Sequence, residues 1–146
     1  MRLPVAISSF VLSAVLCASS LAQSDPLKQA AAQPGAVVTA SGLVFRSLKE
    51  GKGRSPATTD IVRVHYRGKF PDGREFDSSY SRNEPTSFPL NRVIKCWTEG
   101  LQRMKVGGKA TLTCPAAIAY GERGAGGVIP PNAVLVFEVE LLAIGS

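Results

Sequence analysis

Residues Ile61 to Phe76 read IVRVHYRGKFPDGREF. Val62, Val64 and Tyr66 fall on one side of an extended chain and Arg63, His65 and Arg67 on the other, the period-two pattern of a strand with one buried face. Asp72-Gly73, between Phe70 and Phe76, is a strong hairpin signal, so the stretch predicts strand, tight turn and returning strand. The same alternation returns near the C-terminus, where Leu135, Phe137, Val139 and Leu141 alternate with Val136, Glu138 and Glu140. It recurs at Ala110, Leu112 and Cys114, which share a face opposite Thr111 and Thr113. In one place the period changes. Val93, Ile94, Trp97, Leu101 and Met104 recur at three- and four-residue steps, which predicts one stripe of a short helix closed by Gly107-Gly108. The expected architecture is α+β: an antiparallel sheet with one short helix laid across its apolar face. A long loop from Pro115 to Asn132 carries Gly121, Gly124, Gly126, Gly127, Pro130 and Pro131.

Outside this region the chain changes character. Arg2 is followed by an apolar run from Leu3 to Leu16, then by Cys17-Ala-Ser-Ser-Leu-Ala22, a stretch too short to span a bilayer and patterned as a secretory signal peptide. Small residues at Ser20 and Ala22 place the expected cleavage after Ala22, giving a signal peptide over residues 1–22. Cys17 leaves with it, and Leu16 before it argues against lipid anchoring. Gln23 to Ala40, rich in Ala and Gln with Pro26 and Pro34, lacks a periodic apolar face and is expected to be a flexible leader. Residues 41–146 show no repeat and no linker-like break, as one domain of about a hundred residues would.

The composition, 45% hydrophobic and 19% charged in 146 residues, is that of a globular protein and excludes collagen, mucin and coiled-coil readings. The formal net charge is +6, and +5 once Arg2 is removed. Lysines and arginines are dispersed with no run longer than a pair, so the charge reads as a solvated surface and not as a nucleic-acid footprint.

Several chemistries lack their residues. The single histidine, His65, falls on the solvent side of its strand beside two arginines, where a Ser-His-Asp or Cys-His nucleophilic system has no partner to build on. Two cysteines and one histidine supply three ligands at spacings unlike a zinc motif. The glycines at 121, 124 and 126 are not followed by the Lys-Ser/Thr pair of a phosphate loop. No cofactor or metal is expected, and an enzyme built here would work by shape, desolvation and hydrogen bonding.

Val64-His-Tyr-Arg-Gly68 and Asp72-Gly-Arg-Glu-Phe-Asp-Ser-Ser79 resemble the first signature of the FKBP-type peptidyl-prolyl cis/trans isomerases. Val93-Ile-Lys-Cys-Trp-Thr-Glu-Gly100, Ala119-Tyr-Gly121, Ile129-Pro-Pro-Asn132 and Leu135-Val-Phe-Glu-Val-Glu-Leu141 are similar to the family's remaining blocks, in the same order. The resemblance implies a twisted antiparallel half-barrel wrapped around a short helix, with a shallow apolar pocket between them. It implies catalytic roles for Tyr66, Phe76, Asp77, Trp97, Tyr120 and Phe137, and substrate contacts from Phe88, Val93, Ile94 and Ile129. Trp97 would form the floor under a prolyl ring, the Ile94 N–H would meet a ligand carbonyl, and Asp77 would orient the site through a tyrosine without acting as a base. Read without the resemblance, Phe76, Val93, Trp97 and Phe137 are equally ordinary core residues, and Asp77 an ordinary turn residue.

The implied function is isomerisation of X-Pro bonds during folding of exported proteins. The competing reading is a peptide-binding module or chaperone that uses the same pocket with little turnover. Expected partners are proline-containing unfolded or extended polypeptides and the family's macrolide inhibitors, with no nucleic acid, no membrane insertion and a monomeric state. Export, to a periplasm or outside the cell, follows from the signal peptide. The chain departs from the family in having Thr86 where a pocket aromatic is frequent, a short Leu90 to Val93 connection, and Ala125 in the loop over the pocket. Cys96 and Cys114, on the packing faces of the helix and a strand, leave two alternatives: a disulfide closing a loop of about 18 residues, worth about 3 kcal/mol, or two buried thiols. The disulfide is the expectation carried forward.

Overall fold

The computed structural model describes residues 25–145. The signal peptide expected over residues 1–22 and its cleavage after Ala22 lie outside the described residues. Strand β3 (Ile61–Lys69) alternates buried and accessible residues along most of its length, as its sequence dictates. The chain turns through Asp72-Gly73, where the Phe70 N–H donates to the Arg74 carbonyl at 2.8 Å, and returns as β4 (Glu75–Ser78), antiparallel to β3. β5 (Thr86–Pro89) pairs with the first half of β3 on the edge whose second half holds β4. On the other edge runs β7 (Leu135–Ile144), which sets Val139 opposite Tyr66 and Phe137 opposite Gly68. β6 (Lys109–Cys114) pairs beyond β7, with Leu112 opposite Phe137. β2 (Val44–Lys49) and β1 (Ala36–Val38) complete an all-antiparallel sheet in the order β1-β2-β6-β7-β3-β4, with β5 also on β3.

One face of this sheet is covered by helix α2 (Lys95–Leu101), which follows a 3₁₀ turn at Leu90–Arg92. The core between them holds Val62, Val64, Leu90, Leu101, Leu112, Leu135, Val139 and Leu141, all fully buried. Each such side chain contributes about 1.5–3 kcal/mol on leaving water. The helix lies very close to the sheet at Gly100, where a Cβ would stand 2.8 Å from both δ-carbons of Leu112, so any side chain there would force the two apart. A disulfide joins Cys96 of α2 to Cys114 at the end of β6, with their Cα atoms 5.9 Å apart. It ties the helix that carries Trp97 directly to the sheet.

Two expectations are revised. The helical stripe from Val93 to Met104 overstated the helix: Val93 is extended (φ −110°, ψ 176°), Ile94 is the N-cap, and α2 ends at Leu101. Val93, Ile94 and Met104 still pack against or within the core, because the turns flanking a short helix continue its apolar side. The segment expected to be a flexible leader carries α1 (Pro26–Ala31) and β1. Asp25 caps α1 by accepting from the N–H groups of Leu27 and Lys28, and Pro26 sits at the first turn, where its missing N–H costs nothing. α1 lies against β1, β2 and β6. At that end of the sheet Val44 and its register partner Thr113 are buried, although strand alternation directs Thr113 away from the core.

Candidate active site

The sheet and helix leave a cavity of about 300 Å³ at one end of the core. β3 contributes Tyr66, β4 Phe76 and Asp77, β5 Phe88, the connection into α2 Arg92, Val93 and Ile94, α2 Trp97, the long loop Tyr120, and β7 Phe137. These residues are far apart in sequence, yet register brings them together. The pairing of Gly68 with both Asp77 and Phe137 sets β4 and β7 on either side of β3, so their aromatic side chains converge over it. Gly68 makes room for them, since a Cβ there would stand 2.6 Å from Phe76 Cζ and 3.0 Å from Phe137 Cε1.

Trp97 is 4% exposed and meets three rings nearly edge-on: Tyr66 at 5.2 Å and 80°, Phe88 at 5.5 Å and 88°, and Phe137 at 5.4 Å and 88°. Phe76 in turn meets Phe137 edge-on at 5.8 Å. Such pairs add about 0.5–1.5 kcal/mol each beyond area burial and lock the ring orientations together. The Trp97 indole N–H is buried with no acceptor among the described residues, a desolvation cost of about 1–3 kcal/mol.

The polar side of the cavity is a single network. The Tyr66 hydroxyl donates to Asp77 Oδ2 at 2.5 Å, while Arg82 Nη1 donates to Asp77 Oδ1 at 2.6 Å and its Nη2 to the Tyr66 hydroxyl at 3.1 Å. The Ser78 N–H donates to Asp77 Oδ1 as well. Burial works to raise the Asp77 carboxyl, but these donors and the Arg82 charge outweigh it and hold the group below the usual carboxylate range. Burial, reinforced by Asp77, pushes the Tyr66 hydroxyl up, and burial with the Asp77 charge does the same to Tyr120. Asp77 is therefore an anion and both tyrosines are neutral at pH 7. Behind Tyr66, the Ser79 hydroxyl accepts from the Tyr66 N–H at 2.7 Å, and the Ser79 N–H donates to the Tyr66 carbonyl at 3.0 Å, fixing the strand where it enters the site.

Nine of the ten site residues singled out from the sequence line this one cavity. Ile129, 6% exposed, lines instead an adjoining recess over the rim, together with Phe76, Asp77, Tyr120 and Ala125. His65 is half-buried, bonded through Nδ1 to the Ser79 hydroxyl at 2.8 Å and stacked on Tyr80 at 4.6 Å, so it braces the strand and does not line the cavity. Two arginines were missed by sequence reasoning. Arg82 follows Asp77 by five residues through an irregular turn, and no periodic pattern connects the two. Arg92 stands in a turn whose only sequence signal is its shortness. Among the described residues no group of three or more His, Cys, Asp or Glu side chains could hold a metal ion.

A family model described as FKBP-type peptidyl-prolyl cis-trans isomerase matches residues 52–142. The chain belongs to this family. An FKBP-type 22 kDa peptidyl-prolyl cis-trans isomerase of Escherichia coli is 56% identical over 118 residues, which is 81% of this FKBP-type chain and 57% of the relative. FkpA of Aeromonas hydrophila, also an FKBP-type peptidyl-prolyl cis-trans isomerase, is 56% identical over 114 residues, 78% of this chain and 42% of the relative. The chain thus spans about half the length of the curated relatives it matches. Among solved structures, a peptidyl-prolyl cis-trans isomerase of Pseudomonas syringae superposes with a TM-score of 0.78 at 37% identity, covering 92% of this chain and 99% of that one. FkpA of Escherichia coli superposes with a TM-score of 0.79 at 46% identity, over 82% of this chain and 55% of that one. The twisted antiparallel sheet wrapped on a short helix is the FKBP fold.

Proposed function

We propose that the chain is a peptidyl-prolyl cis/trans isomerase that accelerates rotation about X-Pro bonds in extended or unfolded polypeptides. The observation that carries this reading is the cavity itself: aromatic walls on a Trp97 floor, one fixed carboxylate at the side, and no Ser, Thr, Cys or Lys nucleophile among the described residues that line it. Rotation about a peptide bond passes a twisted state about 18–20 kcal/mol above the planar ones, in which amide conjugation is lost. No bond is made or broken and no proton moves. A catalyst therefore needs a site that fits the twisted amide better than the planar one and keeps water from solvating the polar planar form.

In this reading a prolyl ring sits on Trp97 between Tyr66, Phe76 and Phe137, with Tyr120 at the mouth. Asp77 orients Tyr66 and sets the potential at the amide, while Arg82 holds Asp77 in place. Phe88, Val93 and Ile94 contact the peptide, the N–H of Ile94 donating to a substrate carbonyl, and Ile129 closes the rim. The same concave apolar surface would also take the macrolide inhibitors of the family. Residues 41–146 carry the site, and the chain acts as a monomer on polypeptides in an exported setting, in line with the signal-like pattern of residues 1–22. Among the described residues, no helix is long and apolar enough to cross a membrane.

The test is refolding of a protein whose slow phase is prolyl isomerisation, in the presence of catalytic amounts of the chain or of Phe137→Leu. The parent is expected to speed the slow phase in proportion to its concentration, and the variant to do so far more weakly. Prevention of aggregation with no effect on the slow phase would favour a binding module and overturn the isomerase reading.

A further inference from the structure

Arg92 lines the cavity mouth next to Val93 and Ile94, yet among the described residues its guanidinium makes no hydrogen bond, ion pair or ring contact. It is exposed, in the 3₁₀ turn that hands the chain from β5 to α2. The other charges around the mouth are differently placed. Asp77, the only carboxylate among the described residues that line the cavity, is engaged by Arg82, and Glu99 of the neighbouring groove accepts from the Ser41 hydroxyl. That groove begins at Val93, which it shares with the cavity, and carries Lys95. This side of the mouth and its groove therefore carry two cations, Arg92 and Lys95, and one acid, Glu99, which is already engaged by Ser41.

We propose that Arg92 is a specificity-determining residue that favours substrates with an aspartate or glutamate adjacent to the proline. The inference rests on the isomerase reading and adds the chemical class of the preferred substrate. A guanidinium presents a planar fork that pairs with a carboxylate through two hydrogen bonds, and this one has no internal partner to give up. Because the pair forms at an exposed rim, its effect is modest: about two- to fivefold in kcat/KM over the neutral isostere, shrinking as salt screens it.

The experiment compares Glu-Pro with Gln-Pro peptides, and Pro-Glu with Pro-Gln peptides, at pH 7 and low ionic strength, using the full chain and Arg92→Gln. Both kcat/KM and peptide affinity are measured. In the parent, at least one acidic peptide should exceed its neutral isostere in both quantities, and the excess should vanish in Arg92→Gln and at high salt. Equal values for acidic and neutral peptides in the parent, or an excess that survives Arg92→Gln, would overturn the proposal. If no peptide is accelerated at all, the isomerase reading fails, and the affinity ratio by itself still decides whether Arg92 selects carboxylates.

Discussion

Replacing Gly68 by alanine adds one methyl group beneath the two phenylalanines that wall the cavity. The backbone offers no objection, since Gly68 lies within β3 and is not among the residues of positive φ; on backbone grounds alone the change would stabilise by about 0.4–1 kcal/mol. Space is the obstacle. The new Cβ would stand 2.6 and 2.9 Å from Cζ and Cε1 of Phe76 and 3.0 Å from Cε1 of Phe137, whereas carbon atoms rest at about 3.5–4.0 Å. The rings must retreat by about 1 Å, and because Phe76, Phe137 and Trp97 are locked edge to face, the displacement passes to the cavity floor. Overpacking of this kind costs about 1–3 kcal/mol of stability, while a 1 Å misplacement at a reacting centre can cost about a hundredfold in rate. Urea unfolding and peptide isomerisation should therefore diverge: a folded protein with a modestly lowered midpoint and a kcat/KM reduced about 10- to 100-fold. A folded Gly68→Ala protein with parental kcat/KM would refute the claim that ring placement sets the activity.

Asp77→Asn keeps the shape but removes the anion. Its pair with Arg82 is about half exposed, so stability should fall by less than about 1 kcal/mol, while kcat/KM falls about tenfold as the Tyr66 hydroxyl loses its fixed acceptor. Thermal unfolding and peptide kinetics on the same samples check both. The pH profile should be flat between about pH 5 and 9, because no proton moves, the Asp77 carboxyl is held low, and the Tyr66 and Tyr120 hydroxyls are pushed up, away from that range. The sign follows from the Asp77 carboxyl, held low in the fold. Its stabilising contribution is complete above the ordinary aspartate value of about 3.9 and is lost as pH falls through the lower folded value. A bell-shaped kcat/KM centred near neutrality would contradict this. Reduction of Cys96–Cys114, which closes a sequence separation of 18 residues, should remove about 3 kcal/mol and lower Tm by about 10–15 °C. Alkylation followed by mass spectrometry should label both cysteines only after a reductant is added.

The parts of the fold that were legible in the sequence are those where one physical pattern dominates. β3, β6 and β7 alternate along most of their length, because each has a core-facing side, and Asp72-Gly73 marks its turn by residue type alone. α2 was legible as a stripe but not in length, since Val93 and Ile94 lie on the apolar side of an extended approach that looks helical when only spacing is read. α1 and β1 were illegible as a packed unit: three strand residues cannot establish a period, and a six-residue helix without a buried residue has no stripe. Asp25-Pro26 nonetheless carried a capping signal that could have been weighed. The cavity aromatics came from ordered motif blocks and not from periodicity, which cannot separate a pocket wall from a core residue. Arg82 and Arg92 were invisible for a different reason. Their roles depend on irregular turns that bring distant groups together, and side-chain charge says nothing about where a turn points.

A cavity that stabilises the twisted amide lowers the barrier to rotation in both directions and leaves the free peptide's equilibrium alone. Two-dimensional exchange NMR on a short X-Pro peptide, with and without the full chain, measures the cis-to-trans and trans-to-cis rates together while the Trp97 indole resonance reports occupancy of the floor. Both rates should rise by the same factor, with the cis:trans ratio of the free peptide unchanged and the Trp97 indole resonance shifting on titration. A shifted indole resonance with exchange at the uncatalysed rate would contradict it.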